Sequence, residues 1–136
     1  MLLEIAVILC FVLFWQLTRD SNLKKLEANQ RANELLRSVL TSDQCEQLTR
    51  NGYLDIKSPR DAGCIYRVPR AHGLVKVIEH GIHKVNLCLQ PKDAVPDADI
   101  VVIHKLMIEA DEETYVQTAH TFAPMNNETW LDRGIW

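Results

Sequence analysis

Five histidines, four cysteines and a cluster of carboxylates are the residues best suited to chemistry in this chain. His80 and His83 are three positions apart on either side of Gly81, and they are the candidate metal ligands. The chain has no C-x2-C, H-E-x-x-H or E-x-x-H pattern, the spacings typical of zinc and carboxylate-bridged metal sites. Two histidines beside a turn are more often surface residues, so we expect neither a metal nor a cofactor.

Catalysis without a recognised motif would need a nucleophile beside a base. His104 and Asp111 are seven positions apart, so a helix would place them on one face, where a histidine–carboxylate pair can act as a general base. The nucleophile candidates have no base placed beside them: Cys88, Ser58 and Thr118. A small metal-dependent or hydrolytic enzyme using His80, His83, His104 and the carboxylates of residues 109–113 is therefore an alternative, and the expectation is no enzyme.

Basic residues are concentrated in the middle of the chain. The whole chain carries a net charge of −3, which gives no general signal for nucleic acid. Residues 57–92 nevertheless carry a net charge of +5, and residues 97–136 a net charge of −6. A basic sheet surface could bind nucleic acid or anionic lipid, with Tyr66 as a stacking platform beside Arg60, Arg67, Arg70, Lys76 and Lys84. One aromatic among five cations makes nucleic acid an unlikely partner.

The C-terminal tail is the segment that most suggests a protein partner. It contains two of the three tryptophans together with two aliphatic residues, namely Trp130, Leu131, Ile135 and Trp136. Solvated tails rarely carry so much apolar surface. These side chains either pack onto their own domain or anchor in a partner's pocket, the role in which tryptophan dominates interface energetics.

The first 17 residues predict a retained membrane anchor. Glu4 is their one charged residue, and residues 5–15 form an unbroken apolar run that includes Ile5, Val7, Phe11, Phe14 and Trp15. A cleaved signal peptide would need a basic start, which the chain lacks. Because the basic residues follow the apolar run, the positive-inside rule places the N-terminus outside and the C-terminal domain in the cytoplasm.

A helical stalk and a short helix are expected after the anchor. Residues 18–40 lack Gly and Pro and predict the stalk, whose last turns pack on the domain. Thr41 and Gln44 have the spacing of a capping box, which predicts a helix that stops at Gly52.

Short β-rich runs then predict an antiparallel meander of strands at residues 53–56, 64–70, 74–79 and 83–90. In its last hairpin, a three-residue loop that sets Glu79 opposite His83 pairs Val77 with Val85 and keeps one apolar face on the core.

A single long helix is expected to follow, because residues 97–122 contain no Gly or Pro and Asp97 is a suitable N-cap. The predicted fold class is α+β: an N-terminal transmembrane helix (1–17), a stalk (18–40), an α+β domain (41–123) with a β-meander of three or four strands under a long C-terminal helix, and a Trp-containing tail (124–136). The predicted function is a non-catalytic accessory subunit of a membrane complex, with membrane lipid and other subunits as partners.

Overall fold

The computed structural model describes residues 2–124 and shows an α+β fold. Within these residues it has four helices and one antiparallel sheet of five strands in the order β1-β2-β3-β4-β5. The elements in chain order are α1 (Leu2–Val39), α2 (Ser42–Asn51), β1 (Tyr53–Lys57), β2 (Cys64–Pro69), β3 (Val75–Glu79), β4 (Ile82–Cys88), α3 (Asp97–Ala110), α4 (Glu112–Thr118) and β5 (His120–Phe122). The strand order equals the chain order, so the predicted antiparallel meander is confirmed for β1 to β4, and β5 is a fifth strand beyond the three or four predicted.

The predicted membrane anchor is wrong. No helix within residues 2–124 combines the length and the apolar character that a membrane span needs. The apolar run ends at Trp15, and Gln16, Arg19 and Asp20 follow in the same unbroken helix. Residues 5–15 rise only about 16 Å as a helix, against the roughly 30 Å of a hydrocarbon core. The single-pass localisation and the orientation inferred from the flanking charges are withdrawn with the anchor.

The end of α1 joins the helix to the domain. Ala32 and Leu40 are buried and Leu36 is half-buried, which places a stripe at helical spacing against α3. The capping box of α2 is present, because the backbone N–H of Thr41 donates to Gln44 Oε1 at 3.1 Å and that of Gln44 donates to Thr41 Oγ1 at 3.3 Å. Gly52 ends α2 in the left-handed region, at φ 75°.

The hairpin of β3 and β4 has the predicted core pairs but a different loop. Val77 lies opposite Val85, as expected, whereas Glu79 lies opposite Ile82 instead of His83. The loop therefore has two residues, His80 and Gly81, both at positive φ (50° and 81°), as in a type I′ turn. A bulge at Val77/Ile78 then shifts the register by one residue and returns the apolar side chains to one face.

The core lies between one face of the sheet and the helices. Its sheet side is formed by alternate residues of β1 to β4, and its largest fully buried members are Leu54, Val68, Val75 and Leu87. The helices contribute Val101 and Ile108 from α3 and Tyr115 from α4. The alternation of buried and less buried residues in β2 shows that only one face of this strand belongs to the core.

The single long C-terminal helix is also wrong. Asp111 interrupts it with φ −154° and ψ 82°, and its carboxylate accepts from the backbone N–H of Thr114 at 3.1 Å and from Thr114 Oγ at 2.7 Å. Asp111 thus acts as the N-cap of α4. The N-cap of α3 is Pro96, not Asp97, and the end of the predicted helix is instead β5, paired with β4.

Candidate functional site

A cleft of about 530 Å³ lies between α4 and the sheet. Its apolar lining comes from Val77, Val85 and Leu87 on the core face of the sheet and from Val116 on α4. α4, which forms one wall of the cleft, has only seven residues and buries one of them, Tyr115.

A carboxylate held by two hydroxyl groups forms the polar wall of the cleft. Tyr66 Oη donates to Glu112 Oε1 at 2.6 Å, and Ser58 Oγ donates to Glu112 Oε2 at 2.8 Å. Ser58 Oγ in turn accepts from the backbone N–H groups of Arg60 (3.1 Å) and Asp61 (2.9 Å). Glu112 lies in the first turn of α4, where a negative charge is favoured. The network ties α4 to the β1–β2 hairpin and fixes the carboxylate in the cleft.

The electrostatic potential in the cleft is negative. Burial raises the pKa of the Cys64 thiol, and the carboxylates of Glu112, Glu79 and Asp61 raise it further. Burial and the hydrogen bond to Glu112 likewise raise the pKa of Tyr66. Both groups therefore stay protonated near neutral pH, so Tyr66 is a hydrogen-bond donor and Cys64 is a thiol, not a thiolate nucleophile.

The predicted histidine–carboxylate pair is not formed. His104 is buried and its Nδ1 lies 2.9 Å from Tyr115 Oη, while Asp111 caps α4. Burial lowers the pKa of His104 to about 4, so the imidazole is neutral at physiological pH. His104 therefore connects α3 to α4 within the core.

The candidate metal ligands are on the β3–β4 hairpin. His83 Nε2 lies 2.9 Å from Asn86 Oδ1, and the backbone N–H of His80 donates to Gly63 O at 2.8 Å. Residues 2–124 contain no group of three or more His, Cys, Asp or Glu side chains arranged to hold a metal ion. The two other nucleophile candidates lie elsewhere. Cys88 is half-buried in β4, and Thr118 Oγ1 donates to the backbone oxygen of Thr114.

The predicted aromatic platform, Tyr66, does not lie on the same face of the sheet as the basic residues. Tyr66 is buried on the core face, whereas its neighbour Arg67 points to the other face of the sheet. There Arg67 donates to both oxygens of Asp55, at 2.8 and 2.9 Å, and its guanidinium carbon lies 4.0 Å from the centre of the Tyr53 ring. The hydrogen bond to Asp55 raises the pKa of Arg67.

The remaining cations differ in their surroundings, and Lys76 on β3 lies directly opposite Arg67 on β2. Arg60 pairs with Glu113 at 3.0 Å, and Arg70 after β2, Lys76 on β3 and Lys84 on β4 are exposed. Part of the opposite charge of the two halves of the chain is therefore neutralised internally. In the basic-sheet alternative, Tyr66 is therefore not accessible for stacking, and the guanidinium group of Arg67 is already bonded to Asp55.

The five residues assigned to the anchor lie on the N-terminal part of α1 and are solvent-exposed. Their exposed fractions are 54% for Ile5, 63% for Val7, 70% for Phe11, 67% for Phe14 and 62% for Trp15. From Glu4 to Arg31 the described side chains of α1 are exposed, apart from Thr18. This segment is the largest uncovered apolar surface among the described residues.

Comparisons with known protein families, curated proteins and solved structures found no match to this chain.

Sequence analysis named the three polar residues of the cleft, each for a different role, but did not predict that they lie together. Ser58 was a candidate nucleophile, Tyr66 a candidate platform and Glu112 part of an acidic cluster, and the structure brings these three together. The alternation in β2 places Tyr66 on the core face with Cys64 and Val68. This alternation is the sequence feature from which the position of Tyr66 could have been predicted. The predicted partner-binding residues Trp130, Leu131, Ile135 and Trp136 lie outside the described residues.

Proposed function

We propose that this protein is a non-catalytic accessory subunit that joins a larger protein assembly through direct protein contacts. The observation that carries the proposal is the exposed apolar segment of α1, residues 5–15, which the rest of the described chain does not cover. Exposed apolar patches of this kind mark interaction sites in folded proteins.

The energetics of α1 support a partner for this segment. The helix has 38 residues, but only its last third contains apolar side chains that are buried or half-buried, at Ala32, Leu36 and Val39. Most helical stability in proteins comes from packing of an apolar face, not from intrinsic propensity. The N-terminal part of α1 therefore gains its packing from another molecule. Its apolar residues surround the helix, so the fitting partner is a pair or bundle of apolar helices.

The first experiment is the native mass of the complete chain after gentle extraction from its source, with identification of every co-purifying protein. We expect one defined assembly well above the 15.6 kDa of the single chain. A lone chain of 15.6 kDa that recovers no protein reproducibly contradicts the proposal.

A pair of substitutions tests the docking segment itself. Phe11→Glu places a charge in the apolar segment, and we expect it to release the chain from the assembly. Leu26→Glu is the matched control, because Leu26 is 55% exposed on the same helix outside the segment. An assembly that survives Phe11→Glu shows that residues 5–15 do not dock the partner.

A double variant, Trp130→Ala with Trp136→Ala, tests the separate prediction that the tail anchors in a partner.

A further inference from the structure

The cleft between α4 and the sheet has the properties of a small-molecule site. Its volume of about 530 Å³ falls within the roughly 300–1,000 Å³ that drug-sized ligands occupy. Accessible apolar surface comes from half-buried Val85 and from Val116, which is 40% exposed. Such sites combine apolar walls with a few fixed polar groups, and Ser58, Tyr66 and Glu112 supply those groups here.

Glu112 is held in place and still able to bind. Each of its oxygens accepts one hydroxyl group, whereas a carboxylate can accept about four hydrogen bonds in total. The two hydroxyl donors are themselves buried, since Ser58 is 8% exposed and Tyr66 is 3% exposed. The carboxylate is therefore oriented before a ligand arrives, and this preorganisation reduces the entropic cost of binding.

The charges around the cleft select the sign of the ligand. Among the described residues that line it, Arg60 is the one cation and the carboxylates are Asp61, Glu79, Glu112 and Glu113. Arg60 is already paired with Glu113. The remaining charge is negative, and its carboxylates add to the effect of burial in raising the pKa of the Cys64 thiol. An anionic ligand would be repelled, and a cationic one would be attracted.

We propose that this cleft binds a small organic cation, an ammonium or guanidinium group on an apolar body, with Glu112 accepting hydrogen bonds from the cationic group. Val85 and Val116 contact the apolar body. The occupant is a free small molecule, because the volume of the cleft is that of a whole ligand rather than of a single side chain. This inference is independent of the docking role of α1.

The test is a titration of the full chain, labelled with nitrogen-15, followed by NMR. The ligands are n-hexylammonium, hexanol and hexanoate, which share a chain length and differ in charge. We expect n-hexylammonium to shift the backbone amides of Cys64, Val77 and Val85, and to bind at least about tenfold more tightly than hexanoate, a difference of about 1.4 kcal/mol. Equal binding of hexanoate overturns the proposal, and so do shifts confined to α1.

Three variants locate the binding group. Glu112→Gln keeps an acceptor for one hydroxyl group and removes the charge, so we expect n-hexylammonium to bind about tenfold more weakly. Glu46→Gln makes the same change on exposed α2 and leaves the affinity unchanged. Val116→Trp fills the cleft while keeping every charge, so it also weakens binding. Thermal unfolding of each variant verifies that the domain is folded, and unchanged affinity in folded Glu112→Gln overturns the proposal.

A lysine side chain of a partner protein offers the same chemistry from another source. N-acetyl-lysine-N-methylamide, titrated in parallel, separates the two sources. Tighter binding of n-hexylammonium supports a free small molecule. Binding of the lysine derivative about tenfold more tightly than n-hexylammonium overturns the small-molecule assignment in favour of a protein side chain.

Discussion

The two helices that cover the sheet do so in different ways. α3 buries six of its 14 residues, contacts both α1 and β2, and contributes Val101 and Ile108 to the core. α4 buries one residue, Tyr115, and is also attached through the hydroxyl–carboxylate network of Glu112 and the ion pair of Glu113 with Arg60. α3 is therefore packed on the core through apolar side chains, whereas α4 is attached through polar contacts and has a cleft beneath it.

The difference separates stability from recognition. Buried apolar area contributes most of the free energy of folding, and α3 buries four apolar residues where α4 buries one. Oriented polar groups contribute less to stability but select ligands, and they lie beside α4. His104 links the two helices through Tyr115.

Truncation of equivalent aliphatic residues gives the sharpest contrast between the helices. Ile108 on α3 is 0% exposed, and Ile108→Ala should lower the free energy of unfolding by about 2–5 kcal/mol. Val116 on α4 is 40% exposed, and Val116→Ala should change it by less than about 0.5 kcal/mol. Urea denaturation of both variants measures the difference. Equal losses would mean that α4 carries as much of the core as α3.

The pH dependence of stability tests the link between the two helices. Burial holds the pKa of His104 at about 4, below its ordinary value of 6.5. The unfolded chain therefore binds a proton that the folded chain does not, and the stability present above pH 6.5 is lost as the pH falls towards 4. The loss attributable to this histidine is about 3 kcal/mol.

A neutral replacement isolates that contribution from those of the carboxylates. His104→Asn retains a polar atom near the position of Nδ1 and cannot take up a proton in this range. The free energy of unfolding of the variant, measured by urea denaturation between pH 4 and pH 7, should fall less steeply than that of the parent. Parallel curves would show that His104 is protonated equally in the folded and unfolded chains.

The hairpin of β3 and β4 shows which features of the fold the sequence could predict and which it could not. The core pair Val77 and Val85 followed from alternation of apolar residues, because burial of one face restricts the register strongly. The loop did not follow, since a two-residue turn through His80 and Gly81 is compatible with that pair only when a bulge is added. Alternation alone does not encode a bulge.

The site was less predictable than the fold for a similar reason. Absence of Gly and Pro favoured one helix, although Asp111 followed by two glutamates has the composition of a helix N-terminus. Only the break at Asp111 sets α4 apart and places Glu112 against Ser58 and Tyr66. These contacts join residues 46 and 54 positions apart, which local patterns do not specify.

The smallest expected effect concerns the break itself. Asp111→Ala removes the side-chain acceptor for the Thr114 N–H, so the first turn of α4 should open more often. Amide hydrogen exchange should be several-fold faster in α4 and unchanged in α3, because α3 is held by its own apolar contacts. Asp111→Asn is the matched control, since its side-chain oxygen can still accept from Thr114. Faster exchange in both helices would show that α3 and α4 open as one unit. The difference between apolar packing of α3 and polar attachment of α4 would then not extend to their dynamics.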